Sequence, residues 1–301
     1  MTHVATLIAA PETRLTDDLI ARARAALPRA TDIQWLESGV AADIAFMPEN
    51  PADERQLALH LRAALGTAPV DSAVQPLAHR RKKLLVADMD STMIGQECID
   101  ELADLVGLKA HVSAITERAM RGEIAFEPAL RERVALLKGL LASVVDDVIA
   151  NRITLMSGAR ALVGTMRAHG AHAVLVSGGF SLFTQTIAEM IGFDENHANT
   201  LLVENGKLTG FVEEPILGRE AKLDTLLEVA RYLQLPLAGT MAVGDGANDL
   251  AMIERAGLGV AYHAKPAVAA AAHARIDYGD LTALLYLQGY RRDEFVENFE
   301  Q

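Results

Sequence analysis

Leu84-Leu85-Val86-Ala87-Asp88-Met89-Asp90-Ser91-Thr92 is the stretch from which the architecture follows. Its four leading residues form an unbroken apolar run of strand length, the pattern of a strand buried on both faces. The run ends directly in two acids two residues apart. Comparable runs recur downstream: Val174–Val176 opens into Ser177-Gly178-Gly179, and Thr240–Val243 opens into Gly244-Asp245-Gly246. Leu258–Ala261 and Arg275–Tyr278 are two further strand candidates. Helical patterns separate these runs, which predicts an α/β fold with an open, mainly parallel sheet and helices on both faces. The carboxyl ends of strands line the ligand crevice in such a sheet, so chemistry is expected there.

Two insertions interrupt the alternation. The stretch between the first two strands far exceeds the needs of a crossover. It reads as helices over Glu97–Val106, Ala110–Met120, Pro128–Leu137 and Ala142–Ala150, followed by a crossover helix over Ala159–His169. Most of it, about 97–155, is expected to form a helical cap above the strand ends. The second insertion, Asn199–Glu213, reads as a hairpin in which Leu201–Val203 and Leu208–Val212 flank Asn205-Gly206, a type I′ turn pair.

Residues 1–77 have a different rhythm. Val4–Ala9 reads as a strand, and Thr16 as the cap of a helix that carries Leu19, Ile20, Ala23 and Leu27 on one face and stops at Pro28. Strands are expected over Thr31–Leu36 and Val40–Phe46 around Ser38-Gly39. A second helix over Asp53–Leu65 closes at Gly66, and Val70–Val74 is the last strand. The order βαββαβ is the ferredoxin-like pattern, a small α+β domain ahead of the larger one. That order and length resemble the ACT-like domains of amino-acid enzymes, which implies an amino-acid effector or a homodimer contact. A domain that only packs is the plain alternative. Pro76-Leu77-Ala78 reads as the linker, and the basic run His79-Arg80-Arg81-Lys82-Lys83 as a solvated strand entrance, so 78–301 is the second domain.

Composition narrows the function classes. The chain carries 28 Lys and Arg against 40 Asp and Glu, a net charge of −12, which opposes nucleic-acid binding. Half of its residues are hydrophobic and 23% are charged, enough apolar material for a packed core. Cys98 is the single cysteine, so no intramolecular disulfide forms, which fits a reducing cytosol. No cationic segment precedes an apolar stretch at the N-terminus. The stretch Ala171–Ala188, which lacks Asp, Glu, Lys and Arg, is broken by serine, glycine and threonine. Neither a signal peptide nor a membrane span is expected, and the expected location is the cytoplasm.

Four features at the strand ends carry chemistry. Asp88 and Asp90 can converge on one side of a chain that is beginning to turn. Ser177-Gly178-Gly179 joins a hydroxyl, permissive glycines and the N–H groups of a following helix into an anion pocket. Lys222 lies in the helix after Gly218-Arg219, and alone it reads as one surface lysine among many. Gly244-Asp245-Gly246-Ala247-Asn248-Asp249 crowds two acids and an amide around a glycine turn, suited to a hard cation. Competing motifs are absent from the sequence: no His-Glu-x-x-His, no cysteine pair and no Gly-x-x-x-x-Gly-Lys. His169 and His172 read as ordinary surface or crossover residues.

Taken together and in this order, the four features resemble the motifs of the haloacid dehalogenase-like phosphatases, from about Leu84 to Gly289. Within that superfamily the set is most similar to the phosphoserine phosphatase family. Asp88–Ile94 is close to the family's first motif, and Glu97 stands where its acidic substrate ligand is expected. Phe126 with Leu130-Arg131-Glu132-Arg133-Val134 matches the cap motif.

The resemblance implies hydrolysis of phosphoserine, the last step of serine biosynthesis, with Asp88 as nucleophile and Asp90 as general acid and base. A phosphomonoester dianion repels nucleophiles, so its charge must be neutralised. Magnesium suits an oxygen-only site, with the Asp88 carboxylate, the Asp90 backbone carbonyl and Asp245 as ligands and Asp249 in support. Ser177, the Gly178 N–H, Lys222 and Asn248 would hold the phosphoryl oxygens. The second Asp two residues after the first also argues against dehalogenation, because a halide leaving group needs no proton. On spacing alone Glu97 reads as a first-turn helix acid and Arg133 as a solvated helix residue. The resemblance instead implies that they bind the ammonium and carboxylate of the substrate, with Met120 and Phe126 as apolar walls. Another small phosphorylated metabolite is the same-class alternative, and an amino-acid sensor is the alternative from another class.

Overall fold

The computed structural model of the chain describes residues 1–50, 54–120 and 123–296. The larger part is built on six parallel strands: β5 (Leu84–Ala87), β6 (His172–Phe180), β7 (Glu195–Asn199), β10 (Thr240–Gly244), β11 (Leu258–Tyr262) and β12 (Ala274–Ile276). Their spatial order is β12-β11-β10-β5-β6-β7. The chain starts at the centre, builds outward through β6 and β7, then returns to the other side of β5. That reversal opens a crevice at the carboxyl ends of β5 and β10, and the first acidic motif follows one strand while the glycine turn follows the other. The pairing is close, with Ala87 opposite Val243 and Leu175. All four residues of β5 are 0% exposed, as an unalternating apolar run requires.

Strand β7 was not among the expected strands. Its sequence Glu-Asn-His-Ala-Asn lacks an apolar pattern because it is the sheet's outer strand, only one of its five residues being fully buried. The helices α3 (Cys98–Leu105), α4 (Lys109–Met120), α5 (Phe126–Ala135) and α6 (Val144–Arg152) make the cap, and α7 (Ala159–Ala168) is the crossover. The two chains joining cap to core are zipped together: Ile94 bridges Leu155, the Gly95 N–H donates to Thr154 O at 3.0 Å, and the Met156 N–H to Met93 O at 2.9 Å. The hairpin forms over β8 (Leu201–Glu204) and β9 (Lys207–Val212), with Asn205 and Gly206 at φ +49° and +75°, as a type I′ turn requires. Helix α8 (Ser181–Ile191) follows β6, and α9 (Arg219–Tyr232) carries Lys222.

The first part of the chain forms β1 (His3–Ala9), α1 (Asp17–Ala25), β2 (Ile33–Glu37), β3 (Ala41–Phe46), α2 (Glu54–Leu65) and β4 (Val70–Pro76). Asp53, the expected start of α2, lies outside the described residues. The sheet order β2-β3-β1-β4 is antiparallel throughout, the ferredoxin-like arrangement. Thr16 caps α1 by accepting the Leu19 N–H at 3.3 Å.

The basic run departs from expectation, since Arg80 and Lys82 are not solvated. Arg80 donates to Asp43 through both terminal nitrogens (2.6 and 2.7 Å), to the Thr6 hydroxyl, and to the carbonyls of Tyr286 and Leu287. It thus ties β1 and β3 to the end of the helix Ala283–Leu287. Lys82 is 5% exposed, donates to Ala238 O at 2.8 Å, and is lowered to about 8 by burial. Asp71 of β4 accepts the N–H groups of Asp277, Tyr278 and Gly279 beyond β12. Apolar residues of both parts, among them Ile8, Leu36, Ala73, Leu281 and Leu284, share one core.

Candidate active site

The Asp88 N–H donates to Val243 O at 3.0 Å, so the chain leaves β5 still paired with β10 before it turns. The turn is tight. The N–H groups of Met93 and Ile94 both return to Met89 O, and Ser91 adopts φ +57°, a left-handed conformation that a residue other than glycine adopts at a cost. This separates the two acids. Asp88, 4% exposed, points into the sheet end, where its Oδ1 accepts the Met89 N–H at 2.8 Å and pairs with Lys222 Nζ at 2.6 Å. Asp90 faces the cap: its Oδ1 accepts the Cys98 N–H at 2.9 Å and its Oδ2 the Ser177 hydroxyl at 3.1 Å.

Lys222 is no surface lysine. It is 2% exposed and reaches Asp249 Oδ1 at 2.6 Å as well as Asp88. Burial alone would lower its pKa, but Asp249 and then Asp88 reverse this and hold the ammonium above its usual value. Asp249, expected only in support, is 0% exposed and central, and its Oδ2 accepts the Gly246 N–H at 3.0 Å. Burial and the Asp249 charge hold Asp88 well above the usual carboxylate range, against the pull of Lys222. The same two causes raise Asp245.

One carboxylate oxygen each from Asp88, Asp245 and Asp249 lies within 4.8 Å of the others. Three crowded carboxylates facing one lysine, with oxygen as the only donor element, fit a hard divalent cation.

The glycines act through space rather than backbone freedom. None of Gly178, Gly179, Gly244 and Gly246 has a positive φ, contrary to the expected permissive role at Gly178 and Gly179. A Cβ on Gly244 would lie 2.3 Å from Asp249 Cγ, and one on Gly246 would lie 2.3 Å from Asn248 Oδ1. On Gly179 it would meet Ser177 Oγ at 3.0 Å and Asp90 Oδ2 at 3.3 Å. The Gly178 carbonyl accepts the Asn199 amide at 2.9 Å, and Asn199 also bonds both backbone groups of Leu217. Asn199 pins β6 to the approach of α9, a role hidden in the sequence because it reads as the start of a hairpin.

The cap supplies the roof. A Cβ on Gly178 would lie 3.2 Å from Phe126 Cζ, so the Phe126 ring sits on the strand end. Glu97 precedes α3 but makes no capping bond; its Oε1 accepts the Ser91 hydroxyl at 2.9 Å. One face of Glu97 is open to solvent. The protein around its other face, and then the Asp90 charge, push its carboxyl up to about 7. Arg133 is half-buried rather than solvated, and burial lowers its pKa against the attraction of Asp100, Glu97 and Asp90. The side chain of Met120 lies outside the described residues. Cys98 is buried, and burial followed by the Asp90 charge raises its thiol well above the usual value.

A parallel sheet under a helical cap thus brings carboxylates and a buried lysine together at its switch point. Residues 85–254 match the haloacid dehalogenase-like hydrolase family. A phosphoserine phosphatase of Streptomyces coelicolor is 45% identical over 78% of this chain and 58% of its own length, so the chain spans little more than half of that relative. The crystal structure of a haloacid dehalogenase family hydrolase from Salmonella enterica serovar Typhi superposes with a TM-score of 0.82 at 28% identity, covering 95% of this chain and 98% of that one. A structure described as a phospho-aspartyl intermediate analogue of phosphoserine phosphatase has a TM-score of 0.64 at 40% identity, covering 70% of this chain and all of that one. The chain belongs to the haloacid dehalogenase-like hydrolases and, within them, to the phosphoserine phosphatase family. Among the described residues no helix is long and apolar enough to cross a membrane.

Proposed function

We propose that the chain hydrolyses O-phospho-L-serine to L-serine and phosphate in the cytoplasm, as the last step of serine biosynthesis. The observation that carries this reading is the division of labour between two neighbouring acids. Asp88 Oδ1 is held by Lys222 and the Met89 N–H, which leaves Oδ2 for attack on phosphorus. Asp90 lies between that site and the cap, bonded to Ser177 and the Cys98 N–H, where a leaving oxygen would depart. The Asp88–phosphorus bond forms as the bond from phosphorus to the seryl oxygen breaks, and the Asp90 carboxyl gives its proton to that oxygen. Asp90 then takes a proton from water, whose oxygen attacks phosphorus and frees Asp88 and phosphate. The aspartyl intermediate named for the relative above supports this order of steps.

Magnesium is the cation we assign to Asp88, Asp245 and the Asp90 carbonyl, with Asp249 beside them; when bound it neutralises charge on the phosphoryl oxygens. Lys222, Ser177, the Gly178 N–H and Asn248 hold those oxygens. Glu97 and Arg133 read the ammonium and carboxylate, and Phe126 walls the pocket. A panel of phosphoserine, phosphothreonine and sugar phosphates, with and without magnesium, tests the reading. Clear preference for phosphoserine that depends on the metal upholds it; preference for another ester moves the chain to a different small phosphorylated metabolite. For residues 1–77 we propose a homodimer contact or an amino-acid effector site, tested by sedimentation and by serine binding to the whole protein.

A further inference from the structure

Arg133 is a cation whose nearest partners are uncharged. Its Nε donates to Ala129 O at 3.2 Å on its own helix, and its Nη1 donates to Thr116 Oγ1 at 3.1 Å across on α4. Among the described residues no carboxylate forms an ion pair with it, although Asp100, Glu97 and Asp90 attract it from further off. The Thr116 hydroxyl has a single proton, which goes to Val112 O at 3.2 Å, so its oxygen can only accept from the guanidinium. A neutral tether fixes the guanidinium without cancelling its charge, whereas an acid at position 116 would compete with any anionic ligand.

We infer that Thr116 is a positioning residue that sets selectivity for phosphorylated substrates bearing a free α-carboxylate, an inference that rests on Arg133 binding that carboxylate. Thr116 touches no reacting atom. Its loss therefore weakens substrate binding and leaves the chemical step alone.

The test compares T116V, which keeps the shape and loses the hydroxyl, with T116S, which keeps the hydroxyl, and with R133A, each on phosphoserine and on phosphoethanolamine, which lacks the carboxylate. T116V is expected to raise KM for phosphoserine roughly 5- to 30-fold with kcat within about twofold, because one hydrogen bond to a charged group is lost. KM for phosphoethanolamine should hold, and T116S should behave as the parent does. If R133A shifts the preference between the two substrates while T116V does not, Thr116 serves only its own helix and the inference falls. An equal loss on both substrates in T116V has the same meaning. If R133A itself leaves the preference unchanged, the assignment of Arg133 to the carboxylate fails first.

Discussion

Lys222 Nζ stands 2.6 Å from Asp88 Oδ1, and both side chains are withdrawn from solvent. The same ammonium is 2.6 Å from Asp249 Oδ1, so one cation serves two buried acids. Replacing it leaves carboxylates facing each other in a region of low dielectric. Lys222→Met should destabilise the metal-free protein by about 3–5 kcal/mol, measured by denaturant unfolding, and abolish most activity. Magnesium should recover more stability in the variant than in the parent. An unchanged unfolding midpoint would mean that Lys222 does not balance these acids.

Asp90 should matter in proportion to how poor the leaving group is. Asp90→Asn is expected to remove most activity on phosphoserine and to cost less on p-nitrophenyl phosphate, whose leaving group needs no proton. Equal losses on the two substrates would argue against proton transfer by Asp90.

A pH profile tests Glu97. Crowding by the surrounding protein and Asp90 holds its carboxyl at about 7 in the free enzyme. The carboxylate is the form that attracts an ammonium, so kcat/KM for phosphoserine should rise as pH rises through about 7 and fall below it. Glu97→Gln should lower the plateau and erase this inflection, while the titration of the substrate phosphate, common to both enzymes, remains. An unaltered inflection in the variant would assign it to another group.

Arg80 offers a test away from the chemistry. It grips Asp43 at 2.6 Å, both side chains largely buried, while also holding two carbonyls at the end of the helix Ala283–Leu287. Arg80→Met should cost about 3–5 kcal/mol by stranding Asp43, with kcat of the folded enzyme unchanged. Adding Asp43→Leu should restore part of the loss, a coupling that a double-mutant cycle measures. Additive losses would show that the Arg80–Asp43 pair does not couple the two parts of the chain.

The parts of this molecule legible in the sequence are those where local chemistry forces a pattern. A strand buried on both faces must be continuously apolar, so Leu84–Ala87 announces itself, and Asp88 and Asp90 are legible because they follow it directly, where a pair of merely solvated acids is less expected. The Asn205-Gly206 turn is legible because both residues need positive φ. What stayed hidden depends on partners remote in sequence. Arg80 and Lys82 read as solvated because Asp43, Leu287 and Ala238 cannot be foreseen beside them. Strand β7 is polar because it sits at a sheet edge, and Asp249 reads as secondary until Lys222 is seen to reach it. Thr116 carries no local signal at all, since its meaning lies in a guanidinium on the next helix.

The most direct test of the account is to quench the enzyme in acid during turnover of phosphoserine carrying labelled phosphate and to map the labelled residue. The account predicts acid-stable, hydroxylamine-labile phosphate on Asp88. The label should be absent in Asp88→Asn, which should fold normally and not turn over. Label on a serine or histidine, or turnover persisting in Asp88→Asn, would contradict the assignment of Asp88 as nucleophile.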